Sequence, residues 1–137
     1  MSLFGDETRE LVRHVMIGVH FKDYCTNAGG TYESTKYSME CQIPNKGHIL
    51  MMKDERGEIN SMVVKDSDGN NIIDLNITGK IDCAYTRDLW YVCIARTLTG
   101  RTSIHMSPWF DEITVRVRYP RLELTTTHKI PSKQKSY

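Results

Sequence analysis

The chain is poor in the features that usually announce a function. No stretch approaches the ~20 consecutive apolar residues of a membrane-spanning helix. The opening residues are polar and charged rather than a basic start followed by an apolar run, so no secretory signal is legible. On that reading the chain is expected in the cytosol or nucleus, and in a lumenal or extracellular space only if a targeting segment was removed. The five histidines, His14, His20, His48, His105 and His128, stand singly, with no second ligand two or four positions away, so spacing alone builds no metal site. The four cysteines, Cys25, Cys41, Cys83 and Cys93, contain no C-x-x-C element, which removes the usual zinc and thioredoxin-like signatures. Asp66 and Asp68 look like the start of a calcium loop, yet Ile77 stands where the twelfth-position Glu belongs. Acidic residues otherwise gather in turns, and no carboxylate pair suited to acid–base chemistry can be picked out. No catalytic residue, metal or cofactor is implied, and an enzyme is the least supported class. Cys25, just ahead of Thr26-Asn27-Ala28-Gly29-Gly30, is the best placed thiol if one is wanted as a nucleophile. That glycine pair does not open a helix, so it reads as a turn and not a phosphate cradle.

A strong net charge is also missing. The 137 residues hold 18 Lys and Arg against 17 Asp and Glu, for a net charge of +1. The balance hides an asymmetry, because residues 113–137 carry Arg116, Arg118, Arg121, Lys129, Lys133 and Lys135 against Glu123 alone. Such a basic end attracts phosphates or acidic surfaces, or simply keeps the domain soluble.

What is present is alternation of apolar and polar residues, from end to end. Val15, Ile17, Val19 and Phe21 fall on one face of an expected strand. Tyr37, Met39, Cys41 and Ile43 alternate with Lys36, Ser38, Glu40 and Gln42. Further strands are expected over 48–53 and 59–65, then over 72–77 and around Ile81 and Cys83. The apolar run Leu89 to Ala95 reads as a central strand. Ile113, Val115, Val117 and Tyr119 alternate with Thr114, Arg116 and Arg118, and a last short strand covers 122–126. Asp54-Glu55-Arg56-Gly57-Glu58 and Asp66-Ser67-Asp68-Gly69-Asn70-Asn71 carry turn chemistry, since Gly and Asn tolerate positive φ. Only residues 6–13 read as helical. About seven to eight antiparallel strands parted by turns predict an all-β domain, a Greek-key β-sandwich or small barrel, over residues 1–128. Residues 129–137 read as a basic flexible tail.

Two places invite binding. Ser107-Pro108-Trp109-Phe110 puts two aromatics beside a proline in a loop, either a lid over the core or an exposed anchor, with His105 and Met106 close by. Arg116, Arg118, Arg121, Lys129, Lys133 and Lys135 supply the cationic end. The leading expectation is a non-catalytic interaction module that holds a protein partner through loops, an edge strand or a sheet face. The second is an OB-like binder of single-stranded nucleic acid, with Arg116, Arg118 and the tail on phosphates and Tyr85, Trp90 or Trp109 stacked on bases. Unprotected edge strands leave homo-oligomerisation open. Asn76-Ile77-Thr78 fits the N-glycosylation acceptor pattern. As thiols in the cytosol, the cysteines are expected to be partly buried and free; in an oxidising compartment four allow two disulfides in three connectivities.

The order of features between residues 41 and 119 resembles the GOLD domain, a β-sandwich of p24 cargo-receptor and some Golgi-associated proteins. The pieces are Cys41 with Ile43-Pro44-Asn45-Lys46-Gly47, Met62-Val63-Val64 running into Asp66-Ser67-Asp68-Gly69, Gly79-Lys80, and Trp90-Tyr91-Val92-Cys93-Ile94. The resemblance implies a Cys41–Cys93 disulfide, stabilising by about 4 kcal/mol if oxidised. It also implies protein or lipid binding in membrane traffic rather than catalysis.

Overall fold

The computed structural model describes residues 17–118 and 120–131. One helix, α1 (Ile17–Asn27), precedes nine strands: β1 (Thr31–Ser34), β2 (Ser38–Ile43), β3 (Gly47–Lys53), β4 (Ile59–Asp66), β5 (Asn71–Tyr85), β6 (Tyr91–Thr97), β7 (Gly100–Met106), β8 (Glu112–Arg118) and β9 (Glu123–Lys129). Every strand pairs antiparallel with its sequence neighbours, in the order β1 to β9, giving an open meander in place of a Greek key. The all-β expectation holds, with more strands than the alternation revealed.

The fifteen-residue β5 is the hinge of the architecture. Its first part pairs with β4 up to Asn76, and its second part pairs with β6 from Ile77 onward, with a register break between Ile77 and Ile81. The sheet therefore divides into two half-sheets, β1–β5 and β5–β9. Met39, Ile49, Met62 and Ile73 from the first join Ile81, Tyr91, Ile104 and Ile113 from the second in one buried cluster. The two segments read as separate strands, 72–77 and 81–83, are one strand crossing both halves.

The stretch around Ile17 to Phe21 is not a strand. Phe21, Tyr24, Cys25 and Ala28 are buried at positions i, i+3, i+4 and i+7, an apolar stripe of helical period. Phe21 meets Tyr32 edge-on at 5.8 Å, and Tyr24 stacks on Tyr91 at 5.1 Å. Packing onto the sheet overrides the β-branched character of the helix's first turn. The helix ends in a Schellman motif: the Gly30 N–H donates to the Cys25 carbonyl and the Gly29 N–H to that of Thr26, with Gly29 at φ 87°. The glycine pair is thus a helix stop. The expected helix at 6–13 lies outside the described residues.

Two disulfides cross-link the fold, Cys25–Cys41 and Cys83–Cys93, with Cα–Cα distances of 5.7 and 4.1 Å. This corrects both the expectation of free thiols and the Cys41–Cys93 pairing. Cys93 sits directly opposite Cys83 in the β5–β6 ladder, while Cys41 lies under the helix that carries Cys25. The fold also runs past residue 128: Lys129 ends β9, and buried Ile130 donates its N–H to the Asp111 carbonyl. Residues 132–137 lie outside the described residues. No helix among the described residues is long and apolar enough to cross a membrane.

Candidate functional site

Four hairpin turns share one design. Asp54, Asp66, Thr86 and Ser107 each open a turn, their carbonyls accepting from the N–H three residues on, at Gly57, Gly69, Leu89 and Phe110. Their side-chain oxygens accept further amides: Asp54 from Arg56 and Glu58, Asp66 from Asp68 and Asn70, Thr86 from Trp90, and Ser107 from Asp111 and Glu112. In each, the residue at the fourth position is left-handed, at φ 81°, 84°, 66° and 56° respectively. Two of these positions hold glycine. The other two hold Leu and Phe, for which a left-handed backbone costs roughly 1–2 kcal/mol.

The two bulky residues differ in what their strain secures. Phe110 is fully buried and plugs the end of the core, reaching as far as Gly47, where an added Cβ would sit 3.0 Å from the Phe110 ring and 2.2 Å from the Lys65 carbonyl oxygen. Leu89 is 61% exposed and contributes little to the core. Beside it stands Trp109, 65% exposed. Leu89, Trp90, Pro108, Trp109, Asp88 and Lys129 line one groove of about 460 Å³. Asp111 and Glu112 complete its rim, and Lys129 pairs with Glu112, so the groove is apolar inside and net acidic at its margin.

The loop that presents Trp109 is fixed from three directions. The buried Tyr24 hydroxyl donates to the Ser107 carbonyl at 2.6 Å, Lys46 Nζ donates to the Trp109 carbonyl at 2.7 Å, and the Ile130 N–H holds Asp111. Burial, aided by the neighbouring Tyr85 and Asp111, pushes the Tyr24 pKa well up, so the phenol remains a donor. An exposed Trp on a loop held this way enters a complex with little ordering cost.

The expected Trp109–Phe110 pair therefore splits: Phe110 is the core lid and Trp109 the exposed anchor. His105 is half-buried on the outer face of β7, its Nε2 3.0 Å from Ser103 Oγ, while Met106 points into the core, so neither joins the Trp109 groove. Burial, reinforced by Arg116, lowers the His105 pKa to about 4. Arg116 and Arg118 lie on the outer face of β8, 3.2 and 3.4 Å from the Glu123 carboxylate, and Arg121 is exposed in the β8–β9 connection. Along β8, Arg118 stands at the end away from the Ser107–Asp111 loop, so the arginines and Trp109 occupy opposite ends of the second half-sheet. Of the described members of the cationic set, only Lys129 reaches the groove. Lys133 and Lys135 lie outside the described residues.

Tyr85 packs inward against Tyr91 at 5.3 Å and donates its hydroxyl to the His20 carbonyl; burial, the larger cause, and the nearby Asp23 charge push its pKa up to about 12. Asp66 caps its hairpin, Cys25 carries no thiol, and Asn76 is exposed on β5. Leu89 was missed as a site residue, because in sequence it reads as the first residue of an apolar strand. The available signal was Thr86, three positions earlier, matching the spacing of Asp54 to Gly57 and Asp66 to Gly69. No protein-family model matches the chain, and neither the curated proteins nor the solved structures contain a significant match.

Proposed function

We propose that this chain is a non-catalytic protein-interaction module, with the two half-sheets facing each other as a β-sandwich scaffold and the Leu89–Trp109 groove as its contact surface. The observation that carries this reading is Leu89, held at φ 66° while 61% exposed. Backbone strain that brings no packing gain in the free protein is the pattern found at binding sites. Leu89 and Trp109 form the apolar centre, and aromatic anchors of this kind dominate binding energy when a partner excludes water around them. Asp88 and Asp111 favour a partner that sets a basic side chain beside an apolar one.

The test is a pull-down from cell extract at low and high salt with the wild-type chain, Trp109→Ala and Leu89→Gly. A specific partner is retained by the wild type at both salts and lost from both variants. Retention of the same proteins by a folded double variant overturns the reading. The two disulfides also support a workplace in an oxidising compartment. Detection of free thiols in protein isolated under native, non-reducing conditions would refute that placement.

A further inference from the structure

The opposite end of the second half-sheet has a different chemistry. Arg96, Arg101 and Arg118 stand side by side across β6, β7 and β8, in the paired register Arg96↔Arg101 and Arg101↔Arg118. All three are exposed, as are Lys80 and Arg121 close by. Among the described residues, Glu123 pairs with Arg116 and Arg118, and no ion pair is made by Arg96 or Arg101. Arg96 and Arg101, adjacent and without an ion pair, repel each other, and an anionic surface brought to the row relieves that repulsion.

Apolar side chains rise from the same end. Leu98, at the tip of the β6–β7 hairpin, is 86% exposed, the most exposed large apolar residue described. The tip is held firm by the Thr97 hydroxyl, which lies 3.0 Å from Thr99 Oγ1, 3.1 Å from the Gly100 carbonyl oxygen and 3.2 Å from Thr102 Oγ1. Leu98 and Pro120 flank a groove shared with all three arginines. Leu122 and Leu124 on the neighbouring hairpin are 64% and 55% exposed. A nucleic acid or an acidic peptide would use the arginines and leave the leucines in water. A bilayer uses both: apolar tips enter the headgroup–acyl boundary while arginines meet the phosphates.

We infer that this end, with Leu98 and Leu122 at its hairpin tips beside the row Arg96, Arg101 and Arg118, is a docking surface for anionic phospholipid membranes. The surface is separate from the Leu89–Trp109 groove, so the domain holds a membrane at one end and leaves the other free for a partner. Each arginine near an anionic bilayer contributes about fivefold in partitioning.

The experiment is co-sedimentation of the purified chain with phosphatidylcholine vesicles and with mixed phosphatidylcholine–phosphatidylserine vesicles. Binding is expected only to the mixed vesicles, weakening as salt rises. Arg101→Gln should lower partitioning about fivefold, and Arg96→Gln with Arg101→Gln further. Leu98→Asp should lower it about tenfold, through lost apolar contact and added repulsion, while leaving the circular-dichroism spectrum unchanged. Failure to bind mixed vesicles overturns the proposal. So does vesicle binding that Leu98→Asp leaves intact, or single-stranded DNA competing it away with the leucines irrelevant, either of which marks a general polyanion surface.

Discussion

The turns at Asp66–Asn70 and Thr86–Trp90 close their hairpins with the same hydrogen bonds, yet Gly69 stands in one where Leu89 stands in the other. In the first, residue and backbone agree. In the second, a residue that disfavours the left-handed region is held there by its neighbours. The Ser107 turn adds a third case, in which Phe110 accepts the same strain and is compensated by full burial. Among these three, Leu89 alone has neither conformational freedom nor a place in the core. The difference teaches that strain is informative only once burial is known beside it.

Substitutions at these turns break or sharpen that comparison. Phe110→Gly should be the most damaging, losing about 3 kcal/mol, because the 3–5 kcal/mol of a vacated aromatic site exceeds the relief of left-handed strain. A urea midpoint unchanged from wild type would show that Phe110 does not plug the core. The cross-links come next. Replacing Cys25 and Cys41 by Ser releases a 16-residue separation, and replacing Cys83 and Cys93 one of 10 residues. Each should cost about 3 kcal/mol on loop-entropy grounds. Hydrogen exchange should rise over α1 in the first variant, whereas β5–β6, already paired at that point, stays protected in the second.

Gly69→Ala should cost about 1 kcal/mol from conformation alone, since nothing lies within 4 Å of the added Cβ. Leu89→Gly is its mirror and should raise stability by about 1 kcal/mol while abolishing partner capture. If it instead destabilises as Phe110→Gly does, Leu89 is structural and the proposed contact surface fails. At neutral pH the faintest effect is that of His105, which acts only as the solution turns acid. Its folded pKa, about 4, lies below the ordinary 6.5, so the unfolded chain takes up the proton first. Stability is therefore full above pH 6.5 and falls as the pH drops toward 4, and His105→Gln should flatten that part of a thermal-unfolding pH series.

Much of the fold was legible because alternation reports a half-buried strand directly. Met39, Cys41 and Ile43 are buried in β2 as their spacing predicts, and Asp66 to Asn70 forms the hairpin turn that its composition requires. The strand over Thr31–Ser34 was hidden because its residues are mostly exposed, leaving no apolar rhythm to read. β7 was hidden for another reason: Arg101, Ser103 and His105 alternate with Thr102, Ile104 and Met106, and only Ile104 and Met106 are apolar, too few to mark a strand. At the contact surface, Trp109 was legible as an unusual side chain in a loop. Its exposure was not, nor was its closeness to Leu89, because those depend on how β6 and β8 lie in the folded sheet.

By itself the sequence determined the antiparallel strands and the glycine turns, both set by interactions between residues near one another along the chain. Tertiary structure decided that Ile17–Asn27 coils into a helix, that β5 carries one strand across two half-sheets, and which cysteines pair. It also decided that Phe110 turns inward while Trp109 turns out. Those outcomes rest on which distant apolar surfaces meet, and local pattern carries no record of that.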